Sequence, residues 1–147
     1  MAKRVLVPLD QSSLAESVLP VVADLARGAD SAVRLLYVAP TPTRRSDSEG
    51  RVVAYADQEM SRLQSEATDY LETVELQFKD LAVDSAVRFG DAVQEIQAEA
   101  QAWGADLIAV TTSGRSGLRR AVLGSVAEQV FRKARGPVML YSPFPER

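Results

Sequence analysis

The sequence contains neither cysteine nor histidine. Without cysteine there is no disulfide, no thiolate nucleophile and no cysteine zinc site. Without histidine the commonest general base, the usual catalytic triads and the commonest metal ligand are missing as well. No apolar run reaches the roughly 18–20 residues needed to span a bilayer. The stretch from Met1 to Pro8 lacks the long apolar core and small-residue cleavage site of a signal peptide. Net charge is −3, and no segment is basic enough for a general nucleic-acid binder. These absences lead us to expect a soluble, cytoplasmic protein whose partners are neither nucleic acid nor membrane. The missing histidine moves the reading from catalysis toward binding.

What is present suits one domain over residues 1–147. At this length roughly 68–70% of the unfolded surface can be buried, enough for one hydrophobic core. Hydrophobic residues at 46% and charged residues at 25% match an ordinary globular protein. The continuously apolar run Val5–Val7 predicts a strand covered on both faces. Ser13-Leu14-Ala15-Glu16 fits a capping box opening a helix, with Gly28 as its stop and a bend expected at Pro20. Ala32–Val38, Val83–Arg88, Asp106–Thr112 and Val138–Tyr141 read as four further strands, with Asp106–Thr112 expected to be central. A long helix carries Met60, Leu63, Ala67, Tyr70, Leu71, Val74 and Phe78 on one face, after a connection over 39–53 that reads as mobile. Asp91 caps another helix that Gly104 ends. Ser125-Val126-Ala127-Glu128 repeats the capping-box pattern at the start of the last one. Alternating strands and helices imply an α/β fold, an open doubly wound five-stranded parallel sheet with helices on both faces. In such sheets ligands bind beyond the strand C-terminal ends, where strand order reverses.

The informative stretch runs from Thr111 to Ser125, between a buried strand and a helix start. Its glycines let backbone amides approach an anion, and the unpaired N–H groups of a helix start favour one. It is not a P-loop, because Gly-x4-Gly-Lys-[Ser/Thr] is absent. Nor is it a dinucleotide fingerprint, because Asp10-Gln11-Ser12-Ser13, not a glycine-rich loop, follows the first strand.

Gly114, nine residues and then Gly124-Ser125 resemble the Gly-x2-Gly-x9-Gly-[Ser/Thr] motif of the universal stress protein family, in its ATP-binding branch. Val-Pro-Leu-Asp-Gln-Ser near the start, Gly90-Asp91-Ala92 and Gly104-Ala105-Asp106-Leu107-Ile108 are similar to the family too. The likeness runs in order along nearly the whole chain. It implies a Rossmann-like nucleotide-binding module with ATP, with or without Mg²⁺, as ligand, and no haem, flavin or zinc. By that likeness Asp10 meets the ribose or adenine, with Pro8 and Leu9 lining the same wall. Val38 and Ala39 flank the adenine, Val38 partly through its backbone. Val110, Ser113 and Gly114 lie against ribose and α-phosphate, and Arg115, Gly124, Ser125 and Val126 surround the outer phosphates. The chain departs from the motif at Thr111, which stands where its first glycine is expected and so against the nucleotide. The family also implies a homodimer formed through the uncharged last strand, Val138–Tyr141, whose edge otherwise needs protection.

Plainer roles stand beside these. Ser125 is either a helix N-cap or a phosphate ligand, and the two roles can coexist. Asp10 either starts the first helix or meets the ligand. Arg115, Arg119 and Arg120 form either a solvated loop or, for Arg115, a phosphate contact. Trp103 and Tyr70 read as core or interface residues. The pairs Glu95/Glu99 and Glu72/Glu75 read as solvated helix faces. No general base stands near the phosphates, so the expectation is regulatory binding with little or no turnover. The alternatives are a dimeric interaction scaffold without nucleotide and a slow Mg²⁺-dependent ATPase.

Overall fold

The computed structural model describes residues 3–42, 52–112 and 122–143, with backbone alone for 52–56 and 122–125. The elements in chain order are β1 (Arg4–Leu9), α1 (Ser13–Glu16), α2 (Leu19–Ala29), β2 (Ala32–Ala39), α3 (Val52–Glu75), a 3-10 turn (Leu76–Phe78), β3 (Ala82–Phe89), α4 (Ala92–Trp103), β4 (Leu107–Thr111), α5 (Val122–Lys133) and β5 (Val138–Tyr141). All strand pairs are parallel, in the order β3-β2-β1-β4-β5. The expected α/β fold is therefore present. β4 is interior, but β1 holds the middle of the sheet. The expectation of a mobile connection concerned 39–53, of which 43–51 lie outside the described residues.

Side-chain alternation along the strands sends two apolar faces in opposite directions. Val5, Val7, Leu9, Val33, Leu35 and Ala109 pack with α1, α2 and α3. Leu6, Leu36, Ile108 and Val110 pack with α4 and α5. Four boundary expectations are corrected. First, the N-cap of α1 is Ser12, not Ser13: its Oγ accepts from the Ala15 N–H at 3.0 Å. Second, the bend expected at Pro20 is a break, with α1 ending at Glu16 and α2 restarting at Leu19. That puts the proline in a first turn, where its missing N–H leaves no gap. Third, Gly28 does not stop α2. The stop is Asp30, which takes the left-handed conformation at φ 55°. Fourth, α5 begins at Val122, so Ser125 lies within its first turn and does not cap it. The apolar four-residue spacing Val122, Val126, Val130 already favours helix there.

Glu95 and Glu99 do not form a solvated face: Glu95 is half-buried and Glu99 is buried. Glu99 is 6% exposed and accepts from Arg34 at 2.8 Å and Arg88 at 2.7 Å. Arg34 also forks onto its cross-strand partner Asp84, with both contacts at 2.9 Å, and Arg88 reaches Glu95 at 2.9 Å. The Trp103 ring covers Arg34 at 4.7 Å. A buried glutamate is stable only with such partners, which the helical spacing of α4 does not reveal.

Candidate functional site

Two features open the sheet between β1 and β4. Strand order reverses there: the chain leaves β1 toward β2, and leaves β4 toward β5. The β1–β4 pairing also stops at Leu6↔Ile108, three residues before both strands end. Pro8 explains the early stop. Arg4 turns its carbonyl to the β4 side, accepting from the Asp106 N–H at 2.7 Å, and alternation gives Leu6 and Pro8 the same side. Pro8 has no N–H to continue the ladder. Beyond this point β4 holds to β5 alone, with Thr112 N–H donating to the Tyr141 carbonyl at 2.8 Å.

β2 runs on past the last β1 pair, Leu9↔Tyr37. Val38 turns its backbone groups toward β1, because Ala32 does so in donating its N–H to the Lys3 carbonyl at 2.8 Å, and alternate residues follow. No residue of the turn after β1 donates to the Val38 carbonyl among the described residues. Ala39 faces the other way and accepts from the Gly90 N–H at 2.9 Å. The mouth thus has a free carbonyl at Val38 on one flank.

The floor is the turn Asp10-Gln11-Ser12. Asp10 Oδ1 accepts from Ser12 N–H at 3.0 Å and from Ser12 Oγ at 2.5 Å. These bonds hold the turn and let Gln11 take φ 72°. Asp10 is exposed, and its Oδ2 has no hydrogen-bond partner among the described residues. Beneath it Tyr70 donates its hydroxyl to Glu16, and burial together with that bond raises the phenol above its ordinary value. Tyr70 also meets the Tyr37 ring edge-on at 6.5 Å.

On the opposite wall Thr111 is 2% exposed, and its Oγ1 donates to the Ala15 carbonyl of α1 at 3.2 Å. Its side chain is a tie between β4 and α1. Its backbone groups face the gap beside β1, since Ile108 and Thr112 face β5. Sequence reading had placed the Thr111 side chain against a ligand and did not find this tie.

The fold brings Pro8, Leu9, Asp10, Val38, Ala39, Val110 and Thr111 to one end of the sheet. Gly124 and Ser125 lie in the first turn of α5, with Val126 half-buried against the α4 face. Ser113, Gly114 and Arg115 lie outside the described residues, as do Arg119 and Arg120. Among the described residues no group of three acidic side chains is placed to hold a metal ion. No helix there is long and apolar enough to cross a membrane.

The model of the universal stress protein family matches residues 1–142. Universal stress protein MJ0531 of Methanocaldococcus jannaschii is 28% identical over 141 residues, covering 94% of this chain and 81% of that protein. The solved structure of the hypothetical protein MJ0577 superposes with a TM-score of 0.81 at 26% identity, covering 99% of both chains. A universal stress protein in complex with cAMP shares the fold, with a TM-score of 0.61 at 18% identity over 96% of this chain and 97% of that one.

Proposed function

This chain belongs to the universal stress protein family, and we propose that it is a regulatory module that binds ATP at the mouth between β1 and β4. The observation that carries the proposal is the early end of the β1–β4 ladder at Leu6↔Ile108, directly before the Gly114–Ser125 segment. A relative of this fold was solved with cAMP, which supports an adenine nucleotide as the ligand.

In this reading the Val38 carbonyl accepts from the adenine amino group, and Ala39 packs beside the ring. The free Asp10 Oδ2 accepts from a ribose hydroxyl, with Pro8 and Leu9 behind it. Val110 and the backbone of Thr111 line the ribose, and Ser113 and Gly114 approach the α-phosphate. Arg115, Gly124, Ser125 and Val126 receive the outer phosphates, with Mg²⁺ where the nucleotide brings it. The first turn of α5 favours anions because its leading N–H groups lack intrahelical partners. No histidine exists to act as base, and Asp10 stands at the ribose end, so turnover is slow or absent. The uncharged edge strand β5 pairs with its copy in a cytoplasmic homodimer, which satisfies an otherwise open ladder.

The test is to denature freshly purified protein, identify any released nucleotide, and measure ATP binding by calorimetry. Recovery of an adenine nucleotide, or saturable ATP binding that Gly124→Val weakens about tenfold or more (~1.4 kcal/mol), is expected. No released nucleotide and no binding at millimolar ATP would overturn the proposal in favour of a nucleotide-free scaffold. Product from ATP and Mg²⁺ above the Gly124→Val background would make it an ATPase instead.

A further inference from the structure

The helix α1 lies directly after the turn that floors the candidate mouth, yet its four residues cannot hold themselves in place. A single helical turn is unstable alone in water, and α1 buries one side chain, Ala15. Three polar ties fix it instead. After β1, Asp10 Oδ1 accepts from the Ser12 hydroxyl at 2.5 Å, and the Ser12 oxygen in turn accepts from the Ala15 N–H at 3.0 Å. From β4, Thr111 Oγ1 donates to the Ala15 carbonyl at 3.2 Å. From α3, Tyr70 donates its hydroxyl to Glu16, the last residue of α1.

Packing does not explain the third tie. The Tyr70 ring meets Tyr37 edge-on and lies against the apolar cluster on this face of the sheet, a role phenylalanine fills as well. The hydroxyl is committed to a carboxylate of α1, a hydrogen bond of the stronger, charge-assisted kind. It also stands close to the turn above. Burial does most to raise the phenol, followed by Glu16 and then the charge of Asp10, while the Gln11 backbone N–H works against them. Asp10 and Gln11 are therefore both within electrostatic reach of one phenol oxygen. Gln11 takes φ 72°, a left-handed conformation that a residue with a side chain keeps when its surroundings impose it. Released, Gln11 would return to commoner backbone angles and carry the neighbouring Asp10 carboxylate with it.

We propose that Tyr70 is a positioning residue for ribose selection: through Glu16 and the Gln11 turn it holds the free Asp10 Oδ2 toward the mouth, touching no nucleotide itself. The proposal rests on the nucleotide reading above. It adds α3 as the element that sets how strictly the mouth distinguishes ribose from a sugar without hydroxyls.

Calorimetry on the full-length chain compares ATP with dideoxy-ATP, which lacks both ribose hydroxyls, for the parent, Tyr70→Phe, Asp10→Ala and the double variant. Amide hydrogen exchange of the nucleotide-free proteins is followed alongside by NMR. Tyr70→Phe is expected to weaken ATP about tenfold and to leave dideoxy-ATP within about twofold. In the Asp10→Ala background the same replacement should cost ATP no further affinity, because the route runs through Asp10. Exchange at the Ser12 and Ala15 N–H groups should quicken, with Leu71 and Val74 of α3 unchanged. Unchanged ATP affinity in Tyr70→Phe overturns the positioning role. Equal loss of both nucleotides, or a loss that persists without Asp10, overturns the route through Asp10 in favour of a general packing effect. A parent chain that binds neither nucleotide overturns the nucleotide reading and the ribose role with it, and is told apart from the other failures by the parent measurement alone.

Discussion

Leu35 and Leu36 are neighbours in β2, and both are fully buried, yet they enter different surroundings. Leu35 joins Val5, Val7, Val22, Leu71 and Val74 in a cluster that is apolar throughout. Leu36 joins Leu6, Val93, Ile96 and Ile108, the smaller cluster among the described residues. Two residues before it, on the same face, Arg34 enters the ionic lattice with Asp84, Glu99, Arg88 and Glu95. One face of the sheet is held mainly by packing, with isolated polar ties such as Tyr70–Glu16 and Thr111–Ala15. The other divides its stability between packing and a largely buried ionic lattice, and should answer more strongly to acid than the first, whose Arg27–Asp80 pair is exposed. The largest effects should come from the leucines themselves. Leu35→Ala is expected to destabilise by about 2–5 kcal/mol, through lost transfer energy and the cavity left behind. Leu36→Ala should fall lower in that range, because its partly exposed neighbours Val38 and Trp103 can move inward. Urea unfolding of the two variants measures this, and the reverse order would break the comparison.

Next in size is the lattice. Glu99→Gln keeps the shape of the side chain and removes its charge, while Arg34 keeps Asp84 and Arg88 keeps Glu95. A loss of about 1–3 kcal/mol at neutral pH is expected, below that of an ion pair stripped of its only partner. Burial pushes the Glu99 carboxyl upward, but the hydrogen bonds from Arg88 and Arg34 outweigh it, and the group ionises below the usual glutamate range. The unfolded chain therefore takes up this proton first. The stabilisation is complete above the ordinary value of about 4.3 and is lost as pH falls through the lower folded value. Stability of the parent chain should drop in that acid window, and Glu99→Gln should flatten the drop. An identical acid profile in both proteins would show that the lattice contributes nothing there.

That lattice also marks the limit of what the sequence makes legible. The strands and their alternation with helices follow from short apolar runs and their spacing, whereas the edge position of β5 comes only from the family resemblance. Val138–Tyr141 agrees to the residue. Asp91 and Gly104 act as cap and stop because both roles are local: the Asp91 carboxylate accepts from Gln94 N–H at 3.0 Å, and Gly104 takes φ 78°. Glu99 was misread because its partners are 65 and 11 residues away, on strands whose register no local pattern gives. At the candidate site, Pro8 and Asp10 are legible as strand end and turn. The free Val38 carbonyl is not, since it depends on β1 stopping one residue short of it. Ser12 rather than Ser13 caps α1 because Asp10 holds the Ser12 hydroxyl and amide, a preference invisible to a four-residue motif.

The smallest expected effect concerns Thr111, where the comparison of the two faces meets the nucleotide reading. Its side chain belongs to the face packed by α1, and its hydroxyl is tied to the Ala15 carbonyl. At 2% exposure the side chain is covered by the protein itself, so an entering nucleotide would meet the Thr111 backbone instead. Thr111→Val preserves shape and removes the donor, and should cost about 1 kcal/mol, the usual worth of one such bond. Its ATP affinity should equal that of the parent chain. Thr111→Gly separates the tie from obstruction: it should lower stability further, through the lost packing and the freer backbone, while ATP affinity rises by less than about tenfold (~1.4 kcal/mol). A larger gain would mean that the threonine blocks the mouth and that its tie to α1 is secondary.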